Sequence, residues 1–194
     1  MILYHGTSSK FMHDILENGI KCRRKRKSLW PEHPSCRDRV YLTNAYAVHF
    51  AVNASLTVGG DPMVVEVDVS GQINNLVPDE DVMAQVSWGD MPELKDMNLK
   101  ERTVYWANRT HDLPHFATFS LEKLGTVAHM GDIPSWCLNT HLILPKGHDA
   151  LLGHDPTISL MNYKLLGKGY AKALTKLVQT KGEEGCHPSY NELW

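Results

Sequence analysis

No stretch of this chain approaches the ~20 consecutive apolar residues that a membrane span requires, so neither an anchor nor a membrane partner is expected. Its first residues, MILYHGTSSKF, lack the positive leader and apolar run of a secretory signal, and the expected location is the cytoplasm. The four cysteines (Cys22, Cys36, Cys137 and Cys186) show no CxxC spacing, which excludes a readable disulfide framework and leaves reduced thiols. His33 and Cys36 stand as HxxC, with His13 and Cys22 upstream. Zinc knuckles usually come in matched pairs, however, and no metal is expected. Charge of one sign is also missing: a formal net charge of −2 gives no global attraction to nucleic acid, so such a partner must be met by a local patch. Internal repeats and low-complexity segments are absent. What is there is ordinary for a soluble globular protein, 42% hydrophobic and 22% charged, and 194 residues suffice for one domain with a real core.

The chain begins with a short apolar strand, Met1–Tyr4, followed by a His-Gly turn. Phe11, Met12, Ile15 and Leu16 recur at helical spacing between Ser9 and Asn18, with Ser8 or Ser9 as N-cap and Gly19 as the stop. Lys21 to Lys27 holds six basic residues among seven and runs into a loop marked by Pro31 and Pro34. Arg39–Thr43 reads as a second strand, after which Asn44 caps a helix that ends at Gly59-Gly60. Met63–Val69 alternates, with Val65, Val67 and Val69 on one face of a third strand. Asp79-Glu80-Asp81 reads as a solvated acidic turn. The Met- and Trp-rich region after it carries no clear period before a helical piece at Lys100–Asn108. Further strands are expected at Gly125–His129 and His141–Leu144, with a late helix at Tyr170–Val178. The expected class is α+β, with helices inserted early and strands gathered in a split sheet.

Three segments fall into one order: Tyr4-His5-Gly6-Thr7 on the first strand, Val40-Tyr41-Leu42-Thr43 opening an alanine-rich helix, and Gly131-Asp132-Ile133-Pro134 after a late strand. This arrangement resembles the ADP-ribosyltransferase superfamily, in the branch with a His-Tyr signature that includes poly(ADP-ribose) polymerases and diphtheria-type toxins. It is also similar to DarT-like DNA ADP-ribosyltransferases and to NAD-dependent RNA 2′-phosphotransferases. The resemblance covers roughly residues 1 to 140. It implies a catalytic domain over 1–145, with 146–194 as an extension packed on the same domain. Proteins of this look are frequent in phage and bacterial conflict systems, which suggests a toxin-like effector.

The resemblance implies NAD as co-substrate. His5 would bond a ribose hydroxyl, and Gly6 would offer its backbone to the nicotinamide carboxamide, with a missing Cβ allowing close approach. Tyr41 would stack on the nicotinamide, with Thr7 and Thr43 lining the pocket. Arg37 and Arg39 would hold the pyrophosphate by bidentate contacts. Many members carry a Glu at the start of the late strand; that place falls at Thr126, with Glu122 and His129 the nearest alternatives. A missing carboxylate argues against polymer formation. It suits mono-ADP-ribosylation, the RNA 2′-phosphotransferase reaction, or a silent module that binds NAD or nucleic acid. His129 is the candidate general base, its ordinary pKa of about 6.5 being suitable. The macromolecular acceptor is nucleic acid or protein. For nucleic acid, Arg23, Arg24, Lys25, Arg26 and Lys27 would meet phosphates, and Trp30 would stack on a base. Trp88, Trp106 and Trp136 read as core or loop anchors.

Overall fold

The computed structural model describes residues 1–24, 35–86, 91–109 and 115–143. The expectations for Lys25–Lys27, Trp30, Trp88, the Tyr170–Val178 helix and the 146–194 extension lie outside the described residues. The fold is α+β: helices against one antiparallel sheet of six strands. In chain order the strands are β1 (Ile2–Ser8), β2 (Arg39–Thr43), β3 (Pro62–Asp68), β4 (Leu76–Val77), β5 (Thr126–Met130) and β6 (Leu138–Ile143). The helices are α1 (Met12–Asn18), α2 (Ala47–Val58), α3 (Glu80–Gln85), α4 (Leu99–Arg109) and α5 (His115–Phe119). The sheet order is β4-β5-β2-β1-β3-β6. None of the described helices is long and apolar enough to cross a membrane.

Alternation along the strands divides the sheet into two faces. One face carries Leu3, Val40, Leu42, Met63, Val65, Val67 and Val127, all buried. Ile15 of α1, together with Ile20 and Ile133, covers it. The other face carries Tyr4 and Val64 under the small residues of α2, where Ala47, Ala51 and Val52 are fully buried. A smaller cluster of Met83, Ala84, Leu94 and Trp106 joins α3 to α4 beyond the β4 edge. This is the region whose sequence showed no clear period, and its apolar residues pack mainly on one another.

Several boundaries differ from the sequence expectation. There is no turn at His5-Gly6: β1 runs straight through to Ser8, because Gly6 and Thr7 pair with Val64 and Met63 of β3. The first helical segment opens as a single 3-10 turn, Ser9–Phe11, capped by Ser8. Gly19 ends α1 at φ +79°, a conformation open to glycine. Asn44 does not cap α2; its side chain bonds the Leu121 carbonyl instead. Val69 lies past the end of β3 and bonds back to the Met1 carbonyl.

Candidate functional site

The two flanks of β1 are built differently. Against β3 it is in register from Ile2↔Asp68 to Ser8↔Pro62. Against β2, among the described residues, it is in register at Tyr4↔Thr43 alone. The sheet is therefore closed at Tyr4 and open beyond it, between the Gly6–Ser8 end of β1 and the Arg39–Tyr41 end of β2.

His5 occupies the start of this opening. Its Nδ1 lies 3.0 Å from the Tyr41 carbonyl, which lacks a β1 partner. A carbonyl can only accept, so Nδ1 carries the proton and Nε2 is left as an acceptor. Burial pushes the imidazole pKa below its ordinary value, which keeps the ring neutral at physiological pH.

Gly6 is required for a different reason from the one the sequence suggested. A Cβ there would meet the Ala47 carbonyl oxygen of α2 at 2.1 Å and the Ala51 nitrogen at 2.6 Å. The missing side chain lets α2 lie on the strand; it is not space for a ligand. Thr7 is buried on the opposite face, among the core residues beside Met63.

On the other lip, Arg39 and Tyr41 alternate with core residues and both reach one carboxylate. Glu80, at the start of α3, is 0% exposed. Its Oε1 accepts from the Tyr41 hydroxyl and from the Cys36 backbone N–H (2.8 Å). Its Oε2 accepts from Arg39 Nη1 at 2.7 Å. Arg39 Nη2 donates to the Ala107 carbonyl of α4 at 2.9 Å. Arg39 is therefore a buried strut between β2, α3 and α4 and is not free to bind a pyrophosphate. Arg37, two residues earlier, is exposed. Burial, with Glu80 alongside, pushes the Tyr41 phenol far above its ordinary pKa, so it stays a donor with its ring held in one orientation. Burial and the Glu80 charge also push the Cys36 thiol up to about 12, so it is no nucleophile.

Asp79 is the second carboxylate here. It caps α3 by accepting from the Asp81 and Val82 N–H groups. Burial, with Glu80 and Asp81 adding to it, raises its pKa to about 7, while the bond from the Val82 N–H pulls the other way. Thr126 itself is buried and pairs with Thr43 across β5 and β2. Two buried carboxylates thus stand at the β4–α3 junction, Asp79 as the cap of α3 and Glu80 as the partner of Arg39. The signal was in the sequence: an acidic triplet directly after Leu76-Val77-Pro78 is where a buried strand turns into a helix N-terminus, a place that stabilises negative charge.

The structure separates other expected members from this group. Thr43 is saturated: its hydroxyl donates to the Gly125 carbonyl (2.6 Å) and accepts from the Ala45 and Tyr46 N–H groups, forming the turn into α2. His129 pairs with Val40 on the face opposite Tyr41. The Gly131 carbonyl (3.2 Å) and the Gln72 amide (2.7 Å) take both of its ring nitrogens, so it is a core histidine and not a base in the opening. Glu122 lines a separate hollow of about 310 Å³ with Ile73, Leu76, Leu121 and Val127, away from His5 and Tyr41. Arg23 donates to the Ser35 carbonyl, and Arg24 pairs with Asp132 at 3.3 Å.

No family model matches the chain, and no curated protein does. The register puts the His5 side chain on the Leu3 and Val65 face of the sheet and the Tyr41 side chain on the other, so the opening is flanked by a neutral imidazole on one face and a fixed tyrosine ring on the other, with buried carboxylates behind the ring. Among the described residues, no group of three His, Cys, Asp or Glu side chains is placed to hold a metal.

Proposed function

We propose that this chain is an NAD-dependent mono-ADP-ribosyltransferase, with an ADP-ribosyltransferase-like split sheet, that moves ADP-ribose from NAD to a macromolecular acceptor and releases nicotinamide. One observation carries the reading: the sheet opens between β1 and β2 where the His5 and Tyr41 motifs meet, with His5 bonded to the Tyr41 carbonyl. In this reading His5 Nε2 accepts from a ribose hydroxyl. Tyr41, fixed through Glu80, presents its ring to the nicotinamide, and the backbone of Gly6 meets the carboxamide. The bond between ribose C1′ and the nicotinamide nitrogen stretches, and positive charge develops on the ribose. Ring stacking and the carboxamide contact hold the nicotinamide as it departs, the acceptor nucleophile then bonds C1′, and the acceptor's proton passes to solvent. Asp79 is committed to the α3 cap and Glu80 to Arg39, so neither is free to orient an acceptor ribose, and single transfer is favoured over chain growth.

A second reading, an NAD-dependent RNA 2′-phosphotransferase, draws on Lys21, Arg24 and Arg37, whose side chains stand exposed near the open end of β2. A silent binding module remains the rival from another class. Incubation with labelled NAD and a mixture of protein, DNA and RNA separates them. The transferase reading expects nicotinamide release and label on one acceptor. Consumption of a 2′-phosphate-bearing RNA selects the second reading, and NAD binding without nicotinamide release selects the third. His5→Ala is expected to abolish nicotinamide release with its circular dichroism spectrum intact; full turnover in that variant would put the cleft elsewhere.

A further inference from the structure

The hollow that Glu122 lines is a second concavity, with none of its lining shared with the opening beside His5. Its floor is core: Leu76 of β4, Val127 of β5 and Ala117 of α5 are all buried. Leu121 completes the apolar base, while Ile73 and Met1 stand at the rim, 50% and 46% exposed. Large apolar side chains left half in water around one cavity mark a place where a ligand body can cover them. The volume of about 310 Å³ is that of about ten water molecules in the liquid, room for a small ligand.

Both walls are fastened from behind. Beyond Phe119, α5 continues as a π-helical turn, Ser120–Leu124, in which the Gly125 N–H reaches back five residues to the Ser120 carbonyl. Such turns are rare and recur at functional sites. Here the turn carries Leu121 and Glu122 into the lining. The Ser120 hydroxyl pins it by donating to the Thr126 carbonyl at 2.8 Å, and the Asn44 amide donates to the Leu121 carbonyl at 3.2 Å. Ile73 and Asn74 follow Gln72, whose side-chain amide bonds Nε2 of the buried His129 at 2.7 Å. The hollow is therefore preformed, and filling it orders few groups.

Among the described lining residues Glu122 is the one charged side chain, and no described residue bonds or pairs with it. Lys123, next in the chain, is exposed and does not line the hollow. Asn74 and Thr118, both exposed, add an amide and a hydroxyl. An apolar base with one unpaired carboxylate at its edge matches a molecule that is apolar at one end and cationic at the other. An anionic ligand would meet the Glu122 charge instead, and an uncharged one would leave it unanswered. We propose that the hollow binds a small organic ammonium compound, with its apolar body on Leu76, Leu121 and Val127 and its ammonium group on Glu122. The site is independent of the transferase reading, and neither stands or falls with the other.

The test is a titration of the full chain at neutral pH, followed by heteronuclear NMR of the backbone amides. The probes are 2-phenylethylamine, its uncharged counterpart 2-phenylethanol and the anionic phenylacetate. The amine is expected to bind with a Kd of about 1 mM or tighter, an affinity within reach of so small a ligand. The signals expected to move are those of Ile73, Asn74, Thr118, Leu121 and Glu122. The alcohol is expected to bind about 3- to 10-fold more weakly than the amine, and phenylacetate more weakly still. Glu122→Gln is expected to erase the preference for amine over alcohol and to leave the affinity for the alcohol unchanged. Ile73→Ala, at a half-exposed position, should weaken both by about 3- to 5-fold. No binding of the amine up to about 10 mM would overturn the proposal. So would phenylacetate binding as tightly as the amine, signal changes gathered at His5 and Tyr41, or an amine preference that survives Glu122→Gln.

Discussion

The two flanks of β1 hold together by different physics. Toward β3 the ladder is continuous, and the side chains that flank it are aliphatic and buried: Met63, Val64, Val65 and Val67. That flank is stabilised by apolar burial and backbone pairing, neither of which responds to pH. Toward β2 the ladder stops after one pair, and the space is organised by polar groups: His5 on the Tyr41 carbonyl, then Tyr41, Arg39 and the Cys36 N–H on Glu80, with Asp79 beside Thr126. Buried groups of this kind must satisfy one another, so the second flank is specified by mutual dependence and is costly to disturb at any member. An opening in a sheet can persist only if its orphaned backbone is occupied, and here an imidazole does that work at the Tyr41 carbonyl. The closed flank is held by apolar packing; the open one presents fixed donors and acceptors.

The largest way to break this contrast is to remove the hub of the polar flank. Glu80→Ala leaves the Arg39 guanidinium buried without its carboxylate partner and takes away the acceptor of two further donors. Loss of one partner from a buried pair costs about 3–5 kcal/mol, so urea unfolding should show a stability loss of that size. A loss below about 1 kcal/mol would mean that Glu80 is not what holds β2, α3 and α4 together. Gly6→Ala attacks the junction of the two flanks. Its new methyl would lie at 2.1 Å from the Ala47 carbonyl, so α2 must shift, with an expected loss of about 3 kcal/mol. Gly71→Ala, where a Cβ would meet nothing within 4 Å, is the control and should unfold at nearly the wild-type midpoint.

How much of this could be read from residues alone follows the same division. The aliphatic flank was legible, since Val65 and Val67 alternate and alternation is a local signal. The α1 stop at Gly19 was legible for the same reason: a positive-φ terminus leaves a glycine at a fixed offset. His5 and Tyr41 were singled out by their motifs, but Glu80 was read as solvated and is buried. Its burial depends on Arg39 and Tyr41, some forty residues away, and no local pattern carries a partner at that distance. Arg39 was misassigned in the mirror sense. An arginine before a strand looks available until the carboxylate that claims it is in place. Thr126 held attention because a carboxylate was expected on β5; the structure brings Asp79, the cap of α3, close to Thr126 from the neighbouring strand's end. Gly6 was placed in the right motif for a reason that the packing of α2 replaces.

The smallest expected effect is also the sharpest probe of the polar flank, because it changes one charge and little else. Asp79 has a pKa raised to about 7, first by burial and then by the charges of Glu80 and Asp81. In the unfolded chain the same carboxyl titrates near 3.9. The folded state therefore binds the proton more tightly, so the favourable contribution of Asp79 is present in acid and is lost as pH rises from about 4 to about 7. Asp79→Asn keeps the oxygen that accepts from the Asp81 and Val82 N–H groups, and Asn is as good an N-cap as Asp. It cannot ionise. The variant should match wild type near pH 4.5 and exceed it by about 1–2 kcal/mol at pH 8, as read from urea midpoints at the two pH values. His5 and His129 oppose this trend in the parent chain, since burial lowers both pKa values and stability through them falls as pH drops below about 6.5. Comparing variant with parent at each pH cancels their contribution. A pH-independent difference would show that Asp79 stays ionised in the fold and that the open flank tolerates its carboxylates as charges.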